Sequence, residues 1–199
     1  MGLTFFEIVL FSHNPIIKMS ISSMTPWPFK SEELSTVSDA LEIAEDNTGD
    51  FYKFSFDQWK RHHYDVKTLS ALNDGEITSD AFAILNKRSR ITTGFDSKTK
   101  ERDFYFICLQ DHQILRALGR DKNLDVIPLL VYILTHELVH IVRFCNFHQR
   151  FDLSGMGRDN EEKVVHTTTF EILKDLSLPK LDYVLEAYQD RRICRLAAA

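Results

Sequence analysis

The chain has 199 residues, 44% of them apolar and 27% charged, with a formal net charge of −5 and a pI near 5.9. That length supports one domain with a substantial core, and the composition is that of an ordinary soluble globular protein. The acidic balance leaves no broad basic surface for phosphates, so no nucleic-acid partner is expected; the basic clusters "WKRHHYD" and "NKRSR" are diluted by acids and read as solvated faces.

The first 30 residues have a looser character, with Pro15, Pro26, Pro28, Met19 and Met24, and are read as an N-terminal extension. A start site assigned too far upstream and an ordinary ordered extension both fit them. "LTFFEIVLF" lacks a basic leader, carries Glu7 and shows no small-residue cleavage site, so it is not read as a signal peptide. No apolar run is taken to approach the roughly 20 residues that span a bilayer, and no membrane partner is expected. The three cysteines, Cys108, Cys145 and Cys194, are far apart and form no CxxC. They fit buried thiols in a reducing compartment, which makes a cytoplasmic location the expectation.

Residues 31–196 are expected to form a single domain. "KSEELSTVSDALEIAED" predicts a helix capped by Ser31, with Leu34, Val37, Leu41 and Ile43 or Ala44 as its stripe, ended by "NTGD". "FYKFSFDQWK" alternates as a strand or extended lead-in. "DVKTLSAL" and "SDAFAILNKRSR" are read as two short helices separated by "NDGEIT", with Ser79 capping the second. Phe104 to Leu109 is the best strand candidate, rich in aromatic and β-branched residues. A helix from Asp111 through Leu118, closed by Gly119, follows it. The next pattern is nearly all apolar and predicts a helix from about Val126 to about Phe147, with Pro128 tolerated in its first turn. "DLSGMGRDN" reads as a loop, with Asp159 or Asn160 capping the helix "EEKVVHTTTFEILKDL". Beyond Pro179, "KLDYVLEAYQDRRICRL" reads as the last helix, and 197–199 resemble a cloning scar. The sum is an α+β fold, mostly helical, with a small sheet.

The chemistry is concentrated in "ILTHELVHIVRF", Ile133 to Phe144. Residues four apart share a helix face, so His136 and His140 can aim their imidazoles at one point, where zinc accepts imidazole nitrogen at about 2.0–2.1 Å. Glu137 is rotated by about 100° and lies beside such an ion, within reach of a water on it. Between Val131 and Val142 only Glu137 carries a full charge. Burying a carboxylate and two imidazoles in such a helix is costly unless something compensates them, and a divalent ion would. The competing reading is a core helix that happens to carry two satisfied histidines.

With HExxH in uncharged surroundings, the sequence resembles the zincin metallopeptidases; Ile133 departs from the Val or Thr commoner in that family at the position three before the first histidine. The resemblance implies a zincin-like fold with an active-site helix and a small sheet, one Zn2+, and a peptide or protein substrate hydrolysed with Glu137 as general base. The metzincin extension would need glycine at 143 and histidine at 146, where Arg143 and Asn146 stand. The gluzincin arrangement instead takes a glutamate from a second helix about 20 residues on, where "DNEEKVVH" falls. Glu162 is preferred as the third ligand and shares a face with His166; Glu161 stays open, as does His166, either as a ligand or as a support. The resemblance also implies that the strand Phe104–Leu109 forms a cleft edge able to pair with an extended peptide. A non-catalytic zinc-binding module on a peptidase-like fold is the alternative. Weaker candidates are His148, Arg143, Asp111–His112, Tyr183 and Tyr188; His62–His63 reads as surface. Oligomeric state is left open.

Overall fold

A computed structural model of the chain describes residues 27–60, 62–93, 99–146, 151, 155–188 and 194–196. His148, most of the expected N-terminal extension and the last three alanines lie outside the described residues. Helices α1 (Ser31–Tyr52), α2 (Phe56–Trp59), α3 (Asp111–Arg120), α4 (Val126–Cys145), α5 (Met156–Leu173) and α6 (Leu181–Tyr188) surround a sheet of β1 (Tyr64–Lys67), β2 (Ala83–Thr93), β3 (Thr99–Leu109) and β4 (Cys194–Leu196). The fold is α+β and mostly helical, as expected. Strand order is β1-β3-β2-β4. β2 and β3 form an antiparallel ladder from Ala83 opposite Leu109 to Thr93 opposite Thr99, while β1 and β4 flank it in parallel.

The apolar helix α4 organises the core. Every residue from Pro128 to Val142 is buried, and α1, α5, α6 and strands β2, β3 and β4 all pack against it. Each fully buried Leu, Ile or Val contributes about 1.5–3 kcal/mol of transfer free energy, so this one helix supplies a large share of the apolar driving force. Its length and composition would suffice to cross a membrane, which corrects the sequence expectation; 83% of the relevant window is buried inside the protein.

Several predicted elements are displaced. The "NTGD" turn is helical, and α1 continues to Tyr52, ended by Lys53 in the left-handed region at φ 57°. Thr48 of that stretch is fully buried, so tertiary packing overrides the local turn signal. At the other end Lys30, not Ser31, is the N-cap, its backbone N–H donating to Glu33 at 2.7 Å. "FYKFSFDQWK" supplies the end of α1 and the short α2 rather than a strand. The two short helices expected between residues 65 and 90 are replaced by β1, two 3-10 turns and β2. Pairing with β3, a non-local effect, decides this region. Gly155 adopts φ 55°, open to glycine at little cost, and accepts the N–H groups of Arg158 and Asp159. α5 therefore starts at Met156, ahead of the expected cap at Asp159 or Asn160. The last predicted helix is described over Leu181–Tyr188, and Cys194–Leu196, expected within it, forms β4. Strand β3 lies inside the sheet, with β1 covering Tyr105–Cys108, so that segment is not the edge expected for peptide pairing.

Phe29, at the end of the expected extension, belongs to the core. Its N–H donates to Asp111 Oδ2 at 2.8 Å, and the N–H of Leu69 donates to Asp111 Oδ1 at 3.1 Å. Asp111 is thus an internal clamp joining three segments and contacts no solvent. His62 is also buried, stacked on Phe54 with Nδ1 3.1 Å from the Gln58 carbonyl oxygen, contrary to the surface reading.

Candidate metal centre

Helices α4 and α5 pack together and bring two one-turn pairs face to face, His136 with His140 on α4 and Glu162 with His166 on α5. His136 Nε2 lies 3.4 Å from Glu162 Oε2, and His140 Nε2 lies 3.7 Å from Glu162 Oε1. The two α4 imidazole centroids are 4.9 Å apart, and that of His166 is 4.6 Å from that of His136. One ligand atom each from His136, Glu162 and His166 falls within a mutual 4.8 Å. His136, Glu137 and His140 have no solvent exposure, and Glu162 is buried as well.

The residues fit a metal ion on two grounds. Both ring nitrogens of His136, both of His140 and Oε2 of Glu162 are buried without a hydrogen-bonding partner among the described residues. Buried polar atoms left this way are destabilising by about 1–3 kcal/mol each unless something satisfies them. A tetrahedral ion with bonds of 2.0–2.1 Å separates its ligand atoms by about 3.3 Å, which the spacings of 3.4 and 3.7 Å nearly match. Imidazoles and a carboxylate are the donor set that zinc accepts.

Glu161 stands apart from Glu162 in its contacts. Arg143 donates to it through two nitrogens, Nε to Oε1 at 2.7 Å and Nη2 to Oε2 at 2.8 Å. Its Oε1 is also 3.7 Å from His140 Nδ1. Glu161 therefore faces the outer nitrogen of His140, while Glu162 faces the inner ones of both histidines. The relation of Glu161 to His140 is that of a carboxylate that orients a metal-binding imidazole. Arg143 is not a surface ion pair, because it neutralises a buried acid.

The electrostatics follow from these contacts. Burial lowers the pKa of His136 to about 4, outweighing the attraction of the nearby Glu162 carboxylate. Burial acts in the same direction on His140, but Glu161 and Glu162 overcome it and push that imidazole up to about 9. Burial opposes ionisation of both glutamates; Arg143 and His140 hold Glu161 down to about 2, and His136 and His140 hold Glu162 well below the usual carboxylate range. A negatively charged Glu162 beside a neutral His136 suits metal binding, whereas His140 has to release its proton to an incoming ion.

The remaining described candidates make contacts of their own. Tyr183 donates to Asp121 at 2.6 Å, and Tyr188 packs its ring against Phe82 and Tyr132. His112 Nε2 contacts the Thr78 carbonyl oxygen at 3.1 Å. Sequence reasoning missed Tyr132, whose hydroxyl is 3.0 Å from His166 Nδ1 and donates to the Tyr188 carbonyl oxygen at 3.3 Å. The signal was present: Tyr132, His136, His140 and Phe144 recur every four residues along one face of α4. No protein-family model, curated protein or solved structure matches the chain.

Proposed function

We propose that the protein is a zinc-dependent hydrolase of the gluzincin type, cleaving peptide bonds with His136, His140 and Glu162 holding the metal. The observation that supports this reading is the convergence of the HExxH pair on α4 with Glu162 on α5, all buried, at contact distances of 3.4 and 3.7 Å. A zinc ion bound there supplies Lewis acidity, enough to bring the pKa of a coordinated water to about 7. Glu137, next to His136 on the same buried helix, accepts the proton of the attacking water and returns it to the departing amine. Glu161 stands 3.7 Å from the outer nitrogen of His140, with Arg143 keeping that carboxylate ionised. The burial of all these groups strengthens each electrostatic contact.

The test is a pair of substitutions read by metal content and by cleavage of a mixed peptide library. Glu137→Gln retains stoichiometric zinc and loses hydrolysis, whereas His140→Ala loses the metal. Full zinc retention in His140→Ala, or undiminished cleavage by Glu137→Gln, refutes the assignment. A second reading, a non-catalytic zinc-binding module, is favoured by one observation: His166 lies close enough to His136 and Glu162 to supply a further donor. It predicts full zinc occupancy with no cleavage of any peptide by the unmodified chain.

A further inference from the structure

We infer that His166 is itself a metal ligand, so that the ion is held by three imidazoles and one carboxylate. The inference rests on the metal-binding reading above and adds to it a donor outside the HExxH-plus-glutamate set. Three observations carry it. His166 stands one turn beyond Glu162 on α5, and its ring is 4.6 Å from that of His136, tilted by 56°. Ligand atoms of His136, Glu162 and His166 share a mutual 4.8 Å, a tight three-residue His/Glu group buried where α4 meets α5. The third observation is the bond from Tyr132.

A phenol has one proton to donate. The Tyr188 carbonyl oxygen, which can only accept, takes it at 3.3 Å. With the phenolic proton on that carbonyl, the 3.0 Å contact between the Tyr132 oxygen and His166 Nδ1 is made by a proton on Nδ1. That tautomer puts the ring's lone pair on Nε2, the form in which imidazole binds a metal. The chain Tyr188 carbonyl, Tyr132 hydroxyl, His166 imidazole is thus a hydrogen-bonded support for that ring. Both α4 histidines are matched by donors from α5, so the ion would be gripped equally by the two helices. Zinc tolerates a fifth ligand, which keeps His166 compatible with turnover.

The experiment uses the full chain loaded with zinc. Zinc K-edge X-ray absorption counts the coordinated imidazoles; three are expected, and two overturn the inference. His166→Gly is expected to weaken zinc binding, measured by competition with a chromophoric chelator, by more than about tenfold, since even outer-shell partners are worth 10–100-fold. Added free imidazole should restore the affinity, a rescue that a merely structural role would not show. Affinity equal to that of the unmodified chain, or no rescue by imidazole in a folded His166→Gly protein, overturns the inference. Should that variant fail to fold, the imidazole count on the unmodified chain decides. Tyr132→Phe, which removes only a hydroxyl, is expected to weaken binding by about tenfold. An unmodified chain that retains no zinc defeats the metal reading as a whole, whereas bound zinc with two imidazoles defeats only the role of His166.

Discussion

Replacing Arg143 by leucine is the most informative stability experiment. Glu161 has 1% of its side chain exposed and is held ionised by Arg143, whose own side chain is 18% exposed. Removing the guanidinium strands a carboxylate in the interior between α4 and α5. Breaking a buried pair from one side is destabilising by about 3–5 kcal/mol; the partial exposure of Arg143 argues for the lower end, about 3 kcal/mol. For a chain of this size that corresponds to a fall in Tm of about 6–12 °C. Adding Glu161→Gln removes the stranded charge, and most of the loss is expected to return, leaving about 1 kcal/mol for the lost hydrogen bonds. The assay is urea denaturation of the single and double variants in EDTA, so that metal binding does not contribute. A cost below about 0.5 kcal/mol for Arg143→Leu, or a double variant no more stable than the single one, refutes the claim that Arg143 neutralises a buried acid.

Two further predictions concern groups outside the candidate site. Asp111→Ala leaves the N–H groups of Phe29 and Leu69 without their acceptor and is expected to cost about 2–6 kcal/mol, taking about 1–3 kcal/mol per buried donor, without changing metal content per folded molecule; a change in Tm of under about 2 °C would contradict the clamp. Burial raises Cys108 and Cys145 to about 11, so at pH 8 only about one thiol in a thousand is thiolate, and iodoacetamide should label both residues roughly two orders of magnitude more slowly than an ordinary cysteine. Peptide-resolved mass spectrometry measures this, and fast labelling of Cys108 in the folded protein would refute its burial.

The candidate site was legible because its signal is local and periodic. His136 and His140 sit four apart in a helix whose apolar run leaves no doubt about its state, and α4 ends within two residues of the expected Phe147. The sequence reading prefers Glu162 but leaves Glu161 open, because adjacent helical residues differ by about 100° in direction and the packing of α5 on α4 decides how each one meets the histidines. Arg143 offered a clue that went unused: a cation one turn beyond His140 on a helix otherwise buried needs an acid, and Glu161 supplies it. The β2 error has a different origin. "AFAILNKRSR" carries no turn signal and mixes apolar and basic residues, so its state depends on β3, whose partner residues lie up to 26 positions away along the chain, as for Ala83 and Leu109. Gly49 misled in the opposite direction, since a glycine inside a helix costs about 1 kcal/mol, which the contact of α1 with α4 readily offsets.

The enclosure of α4 has a consequence for synthesis. Its 20 residues leave the ribosome after α1 and the β2–β3 hairpin, but before α5 and α6, which cover its other side. A nascent chain arrested ahead of residue 156 would display one greasy flank of that helix, an inviting client for chaperones and for the membrane-targeting machinery alike. Addition of α5 and α6 withdraws that surface, so the quality of the product depends on segments made only after α4 has emerged.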